Sequence, residues 1–327
     1  MAVTSTDIAQ RLGLSQPTVS RILNGTHGYR ASAATRSRVI EAAREMGYRP
    51  NAVARSLRHR RTNIVGFHTG YDYVNVRNAY MAAVLGGLQR ACDAQRIDIL
   101  LLGVFHGRST DDIYGELVNG RIDGLFLHTN AEDPLVARLA ESALPVVAIT
   151  DAMPQLPCIV ANDQDGTRQA IDYLWARGHR RIAYLAPQRR LISVERRVEA
   201  FQDEMAARGV PEAPLVRIDM EEVDTAMDVL RAGPYPPTAV CCWNDLCAVN
   251  LLRVCRKAGI RVPEDLAVVG FDGSFDPRVL AQVVTTVAVP WDTLGEQALN
   301  VLRAQIRGET VPPETSVAVH LLPGETA

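Results

Sequence analysis

Between Gln16 and Asn24 the chain sets out two amides, two hydroxyls, a guanidinium and a proline ring, at Gln16, Pro17, Thr18, Ser20, Arg21 and Asn24. Arg forks onto guanine, Gln or Asn onto adenine, and hydroxyls onto a base or a phosphate, so the set suits base edges in a DNA groove. Such reading requires all six on one outward face of a helix. The intervening apolar residues, Ile8, Ala9, Leu12 and Leu14 followed by Val19, Ile22 and Leu23, fall at helical spacing and can close a small core on the opposite side. Ser15 is a good N-cap, Pro17 is tolerated in a first turn, and Gly13 and Gly25 are natural stops. Two short helices divided in this way predict a helix-turn-helix. An ordinary surface hairpin would share the turn but not the division of faces.

Charge points the same way. Residues 1–61 hold 11 Arg against Asp7, Glu41 and Glu45, a net of +8, whereas the remainder holds 24 basic and 34 acidic residues, a net of −10. The whole-chain charge of −2 hides a basic arm on an acidic body, the distribution of a nucleic-acid-binding headpiece. A third helix follows, capped by Ser32, with Val39, Ala42, Ala43 and Met46 on one side and Gly47 ending it before Pro50. Next comes a short helix candidate capped by Asn51 and running to Arg58. Two turns are marginal in water and would order only on a surface supplied from outside. Leu57, with no apolar run to join, suits a minor-groove wedge with Arg beside it; a plain linker is the alternative.

From residue 63 onward, strands alternate with helices. Ile64 to Phe67, Ile97 to Leu102, Gly124 to Leu127 and Val146 to Ile149 read as buried strands, and the pattern repeats at Arg181 to Leu185, Leu215 to Ile218, Ala239 to Cys242 and Ala267 to Gly270. Buried strands between helices imply parallel sheets covered on both faces, here two doubly wound lobes with a cleft between them. Ligands in such sheets sit beyond the carboxyl ends of strands. There stand Asp151, Asn244, Asp245 and Asp272, with Arg197 on a following helix and Tyr80 or Trp243 as an apolar wall. Carboxylates and an amide facing an Arg can clamp a sugar or a similarly polar molecule. The competing reading is structural: an Asp after a strand is commonly a helix cap, and Trp243 can be core.

These residues resemble the lactose/galactose repressor (LacI/GalR) family of bacterial transcription regulators. The likeness covers nearly the whole chain: Thr4 to Asn24 resembles the headpiece, Gly47 to Leu57 the hinge, and Gly178-His179-Arg180-Arg181-Ile182 and Val262 to Asp272 two stretches of the core. The resemblance implies an N-terminal helix-turn-helix headpiece and hinge helix, then a two-lobed periplasmic-binding-protein-like core of α/β type. It implies that Gln16, Pro17 and Arg21 set specificity, with Thr4, Thr18, Ser20, Asn24 and Tyr29 completing the headpiece contacts. Leu57 would enter the central step of a palindromic operator, with Asn51, Ala54 and Arg55 beside it. Arg197, Asn244 and Asp272 fall on effector positions, as do Tyr80 and Met81, and Asp151 joins them. Asn162 and Asp163 stand near a familiar polar pair but in reversed order. The segment 68–79 is longer than the family norm and borders the cleft, so it is expected to shape effector choice.

The expected domains are residues 1–47, a hinge at 48–62, and a core at 63–327 whose first lobe takes 63–160 and 289–312 and whose second takes 161–288 and 313–327. The expected function is a repressor that binds double-stranded operator DNA as a homodimer under control of a small-molecule effector, a sugar. A purine or nucleoside is the alternative, since Ala52 to Leu57 is closest to the purine-responsive members; a vestigial pocket is another. An enzyme is not expected. The chain has no Gly-rich phosphate loop or nucleophile elbow in a suitable context, and Cys241, Cys242 and Cys247 lack metal-ligand spacing. No metal or cofactor is implied. With no apolar leader and no membrane span, a cytoplasmic protein with reduced thiols is expected rather than a secreted sugar binder.

Overall fold

The computed structural model describes residues 3–24, 29–49, 61–71, 78–103, 107–219, 222–232 and 236–327. The expected hinge residues Asn51, Ala54, Arg55 and Leu57, and residues 72–77 of the long segment, lie outside them. The chain divides into two units, ending and beginning at Thr62 and Asn63.

The first unit packs α1 (Ser5–Leu12), α2 (Gln16–Leu23) and α3 (Ala33–Glu45) around Ile8, Val19 and Val39, none of which has any exposed surface. Each helix starts where a hydroxyl can satisfy free amides. Thr4 and Asp7 cap α1 reciprocally, Ser15 accepts from the Thr18 amide, and Ser32 from the Thr35 amide. Gly13 ends α1 at φ 65°, a left-handed value that a side chain would resist.

The second unit holds two six-stranded sheets among the described residues. In chain order its first elements are β1 (Ile64–Thr69), α4 (Ala79–Ala94), β2 (Asp98–Leu101), α5 (Thr110–Leu117), β3 (Gly124–His128), α6 (Pro134–Ala140), β4 (Val146–Ile149) and β5 (Cys158–Ala161). Then follow α7 (Asp163–Ala176), β6 (Ile182–Pro187), α8 (Ile192–Ala207), β7 (Leu215–Ile218), α9 (Val223–Ala232), β8 (Ala239–Cys242), α10 (Asp245–Lys257), β9 (Ala267–Asp272) and β10 (Thr285–Ala288). The chain closes with α11 (Trp291–Ile306), β11 (Glu314–Val317) and β12 (His320–Leu322). The first sheet runs β2-β1-β3-β4-β5-β11, all parallel; the second runs β7-β6-β8-β9-β10-β12, parallel except for its last strand. Apolar residues on both strand faces require helices on both sides, and these orders reverse at β1/β3 and at β6/β8, the switch points where open sheets leave a crevice.

Two features of the lobes differ from the sequence reading. Strand pairing carries Glu314–Val317 into the first sheet beside β5, so the first lobe reaches Val317 and the expected boundary at 313 is corrected by a few residues. The strands β5, β10, β11 and β12 were not foreseen: each is only three or four residues long and gives little periodic signal. The chain therefore crosses between lobes three times, after Ala161, after Ala288 and after Val317.

In the first lobe α4 and α11 touch backbone to backbone. A Cβ on Gly87 would collide with the Trp291 carbonyl, and one on Gly295 with the Gly87 backbone. Backbone cannot swing aside, so Gly87→Ala is expected to lose about 3 kcal/mol, the upper end of overpacking costs. Gly86→Ala is its control: its Cβ would meet only the Arg90 guanidinium, 3.7 Å away. That variant should be neutral or gain up to about 1 kcal/mol from helix propensity. Urea midpoints of both variants check the contrast.

Candidate functional site

On the headpiece, Gln16, Pro17 and Arg21 are exposed, and Thr18 is half-buried beside them. The Tyr29 hydroxyl donates to Thr18 Oγ1 at 3.1 Å, and the Arg21 guanidinium lies 5.3 Å from the centre of the Tyr29 ring. Tyr29 thus braces two candidate contacts of α2. Gln16 Nε2 donates to Ser5 Oγ at 2.9 Å, and Thr4 is exposed while serving as cap to α1. Ser20 corrects the sequence reading. It is 6% exposed, and Asn24 Nδ2 donates both to its carbonyl and, at 3.2 Å, to its hydroxyl. Because α2 is gripped by both α1 and α3, its buried arc is wider than one seam and takes in position 20 beside Val19.

In the second unit a cavity of about 430 Å³ opens at the carboxyl ends of the strands, between the lobes. Tyr80, Met81, Asp151, Arg197, Asn244 and Asp272 all line it. Arg197, buried in the first turns of α8, is its most constrained group. Its Nε donates to Asp163 Oδ1 at 2.7 Å, its Nη1 to the Trp243 carbonyl at 2.6 Å, and its Cζ lies 3.5 Å from the centre of the Phe271 ring. Asp272 Oδ1 is 3.9 Å from Nη1, too far for a hydrogen bond. Burial opposes charge on Arg197, but Asp163 and Asp272 outweigh it and hold the guanidinium's pKa above its usual value. Both acids are themselves pushed up by burial, Asp272 the further, since Asp163 takes the direct bond to the guanidinium.

Asp272 ends β9 at φ 109° and Thr150 follows β4 at φ 72°, left-handed values adopted by non-glycine residues that both line the cavity. Strain of this kind persists where surrounding structure imposes it. Here the Asp272 carbonyl is fixed by the Trp291 indole N–H at 3.0 Å and by the Val289 amide. Asn244 caps α10, its Oδ1 accepting from the Cys247 amide at 2.8 Å; Asn78 caps α4 in the same manner through the Met81 amide at 3.3 Å. Asp151 reaches across the cleft, its Oδ1 accepting from the Ser193 amide at 2.7 Å. Two further contacts join the lobes: Arg196 forks onto Glu314 at 2.9 Å for both bonds, and the Arg189 guanidinium stacks 4.6 Å from the centre of Tyr71.

Sequence reasoning missed one wall. His128 ends β3 and is buried against Phe67, Tyr71 and Tyr80, with Nδ1 3.1 Å from Thr69 Oγ1 and Nε2 3.5 Å from the Tyr80 hydroxyl. Thr69, His128 and Thr150 occupy the strand ends the crevice rule singles out, so the rule could have found them had it not been confined to charged and amide side chains. Burial lowers the His128 pKa to about 4. A depressed imidazole pKa contributes stability that is complete above about 6.5 and lost as pH falls toward 4, at most about 3 kcal/mol. Asp245, buried under Thr286 and Ser274 and raised to about 6, has the opposite sign: its contribution is lost as pH rises from about 4 to 6. The wild-type profile mixes the two. Urea unfolding of His128→Gln between pH 4.5 and 7.5 should therefore show a smaller acid loss than wild type; parallel profiles would mean that His128 does not carry it.

Residues 4–51 match the lacI family of bacterial regulatory proteins, and residues 171–327 a periplasmic binding protein-like domain. The chain is 30% identical over 330 residues to the HTH-type transcriptional repressor PurR of Escherichia coli O139:H28 (strain E24377A / ETEC), covering 96% of this chain and 93% of that one. The fold is similar to that of the lac repressor dimer bound to operator and the anti-inducer ONPF, with a TM-score of 0.85, 24% identity and coverage of 100% and 99%. It is also similar to the transcriptional regulator CelR in its cellobiose complex, with a TM-score of 0.72, 28% identity and coverage of 99% and 100%. Among the described residues no helix is long and apolar enough to cross a membrane.

Proposed function

The chain belongs to the LacI family of bacterial regulatory proteins and is a DNA-binding transcriptional regulator; from that premise we propose a cytoplasmic, non-enzymatic repressor whose hold on a palindromic operator is set by a sugar bound between the lobes. The observation that carries the effector reading is the Arg197–Asp272 pair at the cavity wall. The buried guanidinium donates through Nε and Nη1 and has Nη2 without a hydrogen-bond partner among the described residues, and the buried Asp272 carboxyl stands 3.9 Å from Nη1, beyond hydrogen-bond reach. A hydroxyl-bearing ligand offers both what they lack: an oxygen for Nη2 and a proton for the carboxylate. Tyr80, whose ring stands edge-on to Trp291 at 5.5 Å, supplies an apolar face.

Met81, Asp151 and Asn244 complete the effector set, and Thr4, Gln16, Pro17, Thr18, Arg21, Asn24 and Tyr29 the DNA set; Asn51, Ala54, Arg55 and Leu57 act at the operator centre. Two headpieces on a palindrome imply a homodimer, as the solved lac repressor is a dimer on its operator. Control by the sugar requires that it bind one arrangement of the lobes better than the other. Selection of random duplexes by the full chain at moderate salt should return one palindromic consensus occupied by two protomers, and a hexose or disaccharide should raise the thermal midpoint. A selection that enriches nothing, with or without sugar, rejects the reading.

A further inference from the structure

The cavity has a neighbour. A second space of about 350 Å³ lies against Asn78, Tyr80, Asn244 and Asp272, four residues that also line the first, and is bounded on its far side by Leu246, Ser274 and Phe275. Each chamber alone falls within the range of about 300–1,000 Å³ usual for small-molecule sites. Their shared boundary is built in a particular way. Asn78 comes from the first lobe and Asn244 from the second, and each commits its Oδ1 to the N-terminus of a helix. That fixes the amide orientation and leaves each Nδ2 without a partner among the described residues. Two donors from opposite lobes thus face the boundary, with the Asp272 carboxyl as acceptor between the chambers. Beyond it the wall turns apolar: Leu246 is 38% exposed, and the Phe275 ring is half-buried.

Resting on the reading of a sugar effector, we infer that the effector is a disaccharide, with one ring on Arg197 and Asp272, the linkage between Asn78 and Asn244, and the second ring against Leu246 and Phe275. A glycosidic oxygen carries no proton and can only accept, which is what two amide donors require; the flanking hydroxyls donate to Asp272. A single hexose seated on Arg197 and Asp272 would leave Leu246 wet and one of the two amides unpaired. A second pyranose covers Leu246 with its apolar face, and the oxygen that links it to the first meets the amide.

Calorimetric titration of the full chain with glucose and galactose, with cellobiose, lactose, maltose and melibiose, and with adenosine and guanosine tests this. One disaccharide should bind at least about tenfold more tightly than its constituent hexose, the factor that about 1.4 kcal/mol gives. Leu246→Trp, which fills the second chamber, should remove most of that advantage; should it fail to fold, Phe275→Ala should reduce the advantage through the loss of the stacked ring. Equal affinity for hexose and disaccharide, or a nucleoside that outbinds both, overturns the inference alone. Binding of no probe from any class removes the sugar reading on which it rests.

Discussion

Replacing Arg197 by Ala should cost the second unit about 3–5 kcal/mol, the usual penalty for removing one partner of a buried ion pair. At about 2–4 °C per kcal/mol for a domain of this size, the midpoint of thermal unfolding should fall by roughly 10 °C. The reason is specific. Asp163 Oδ2 already lacks a partner, and Asp163 Oδ1 and the Trp243 carbonyl would lose theirs together. The side chain also fills the space over Phe271, so the variant opens a void. Arg197→Lys separates the contributions: it returns a charge but not the planar fork that serves an acid and a carbonyl at once. It should recover less than half of the loss. An Ala variant that melts with wild type would show that the buried triad contributes nothing to stability.

The second large effect lies in the headpiece. Arg21→Ala should weaken binding to the selected operator by about 5- to 150-fold, or 1–3 kcal/mol, and relax discrimination at one base pair in each half-site. Arg21 is exposed and rests on Tyr29, which in turn holds Thr18, so the guanidinium is positioned before DNA arrives. Fluorescence anisotropy on operators changed at single positions reads both effects. A uniform loss over all sequences, with the salt slope lowered by about one, would make Arg21 a phosphate contact instead. Tyr29→Phe, which removes only the hydroxyl, should produce a smaller loss at the base pairs nearest Thr18.

What the residue pattern could and could not reveal follows from the range of the forces involved. Caps and buried strands are local. Ser15, Ser32, Asn244 and the apolar runs at Ile64, Gly124 and Ala239 announce themselves within a few residues. The strand-end rule gathered Asp151, Asn244 and Asp272 because an acid or amide directly after a run of buried apolar residues stands out. His128 does not stand out, since an imidazole at the end of an apolar strand reads as core until Tyr71, Tyr80 and Thr69 arrive from elsewhere in the chain. Ser20 fails for the converse reason. A single helix drawn with one buried seam puts it outside, and only the third helix, packed on the same side, turns it inward. Asp163 stands in reversed order with Asn162 and so gives a weak signal in the sequence, yet it is the group that bonds Arg197 across 34 residues of sequence. Strand β11 and the boundary near 313 depend on a pairing with β5 that no local pattern encodes.

The triple passage of the chain between lobes bears on the order in which the protein can be made. Helix α11 and strand β11 belong to the first lobe, yet a ribosome delivers them only after every strand of the second up to β10. Until then the α4 surface around Gly87 has no partner, and β5 is left as a bare edge. The nascent first lobe must therefore wait, incomplete and adhesive, while its neighbour is synthesised, and completing it draws the three tethers together at one side of the cleft. Opening can then proceed as a swing about that side, but not as a parting of the lobes.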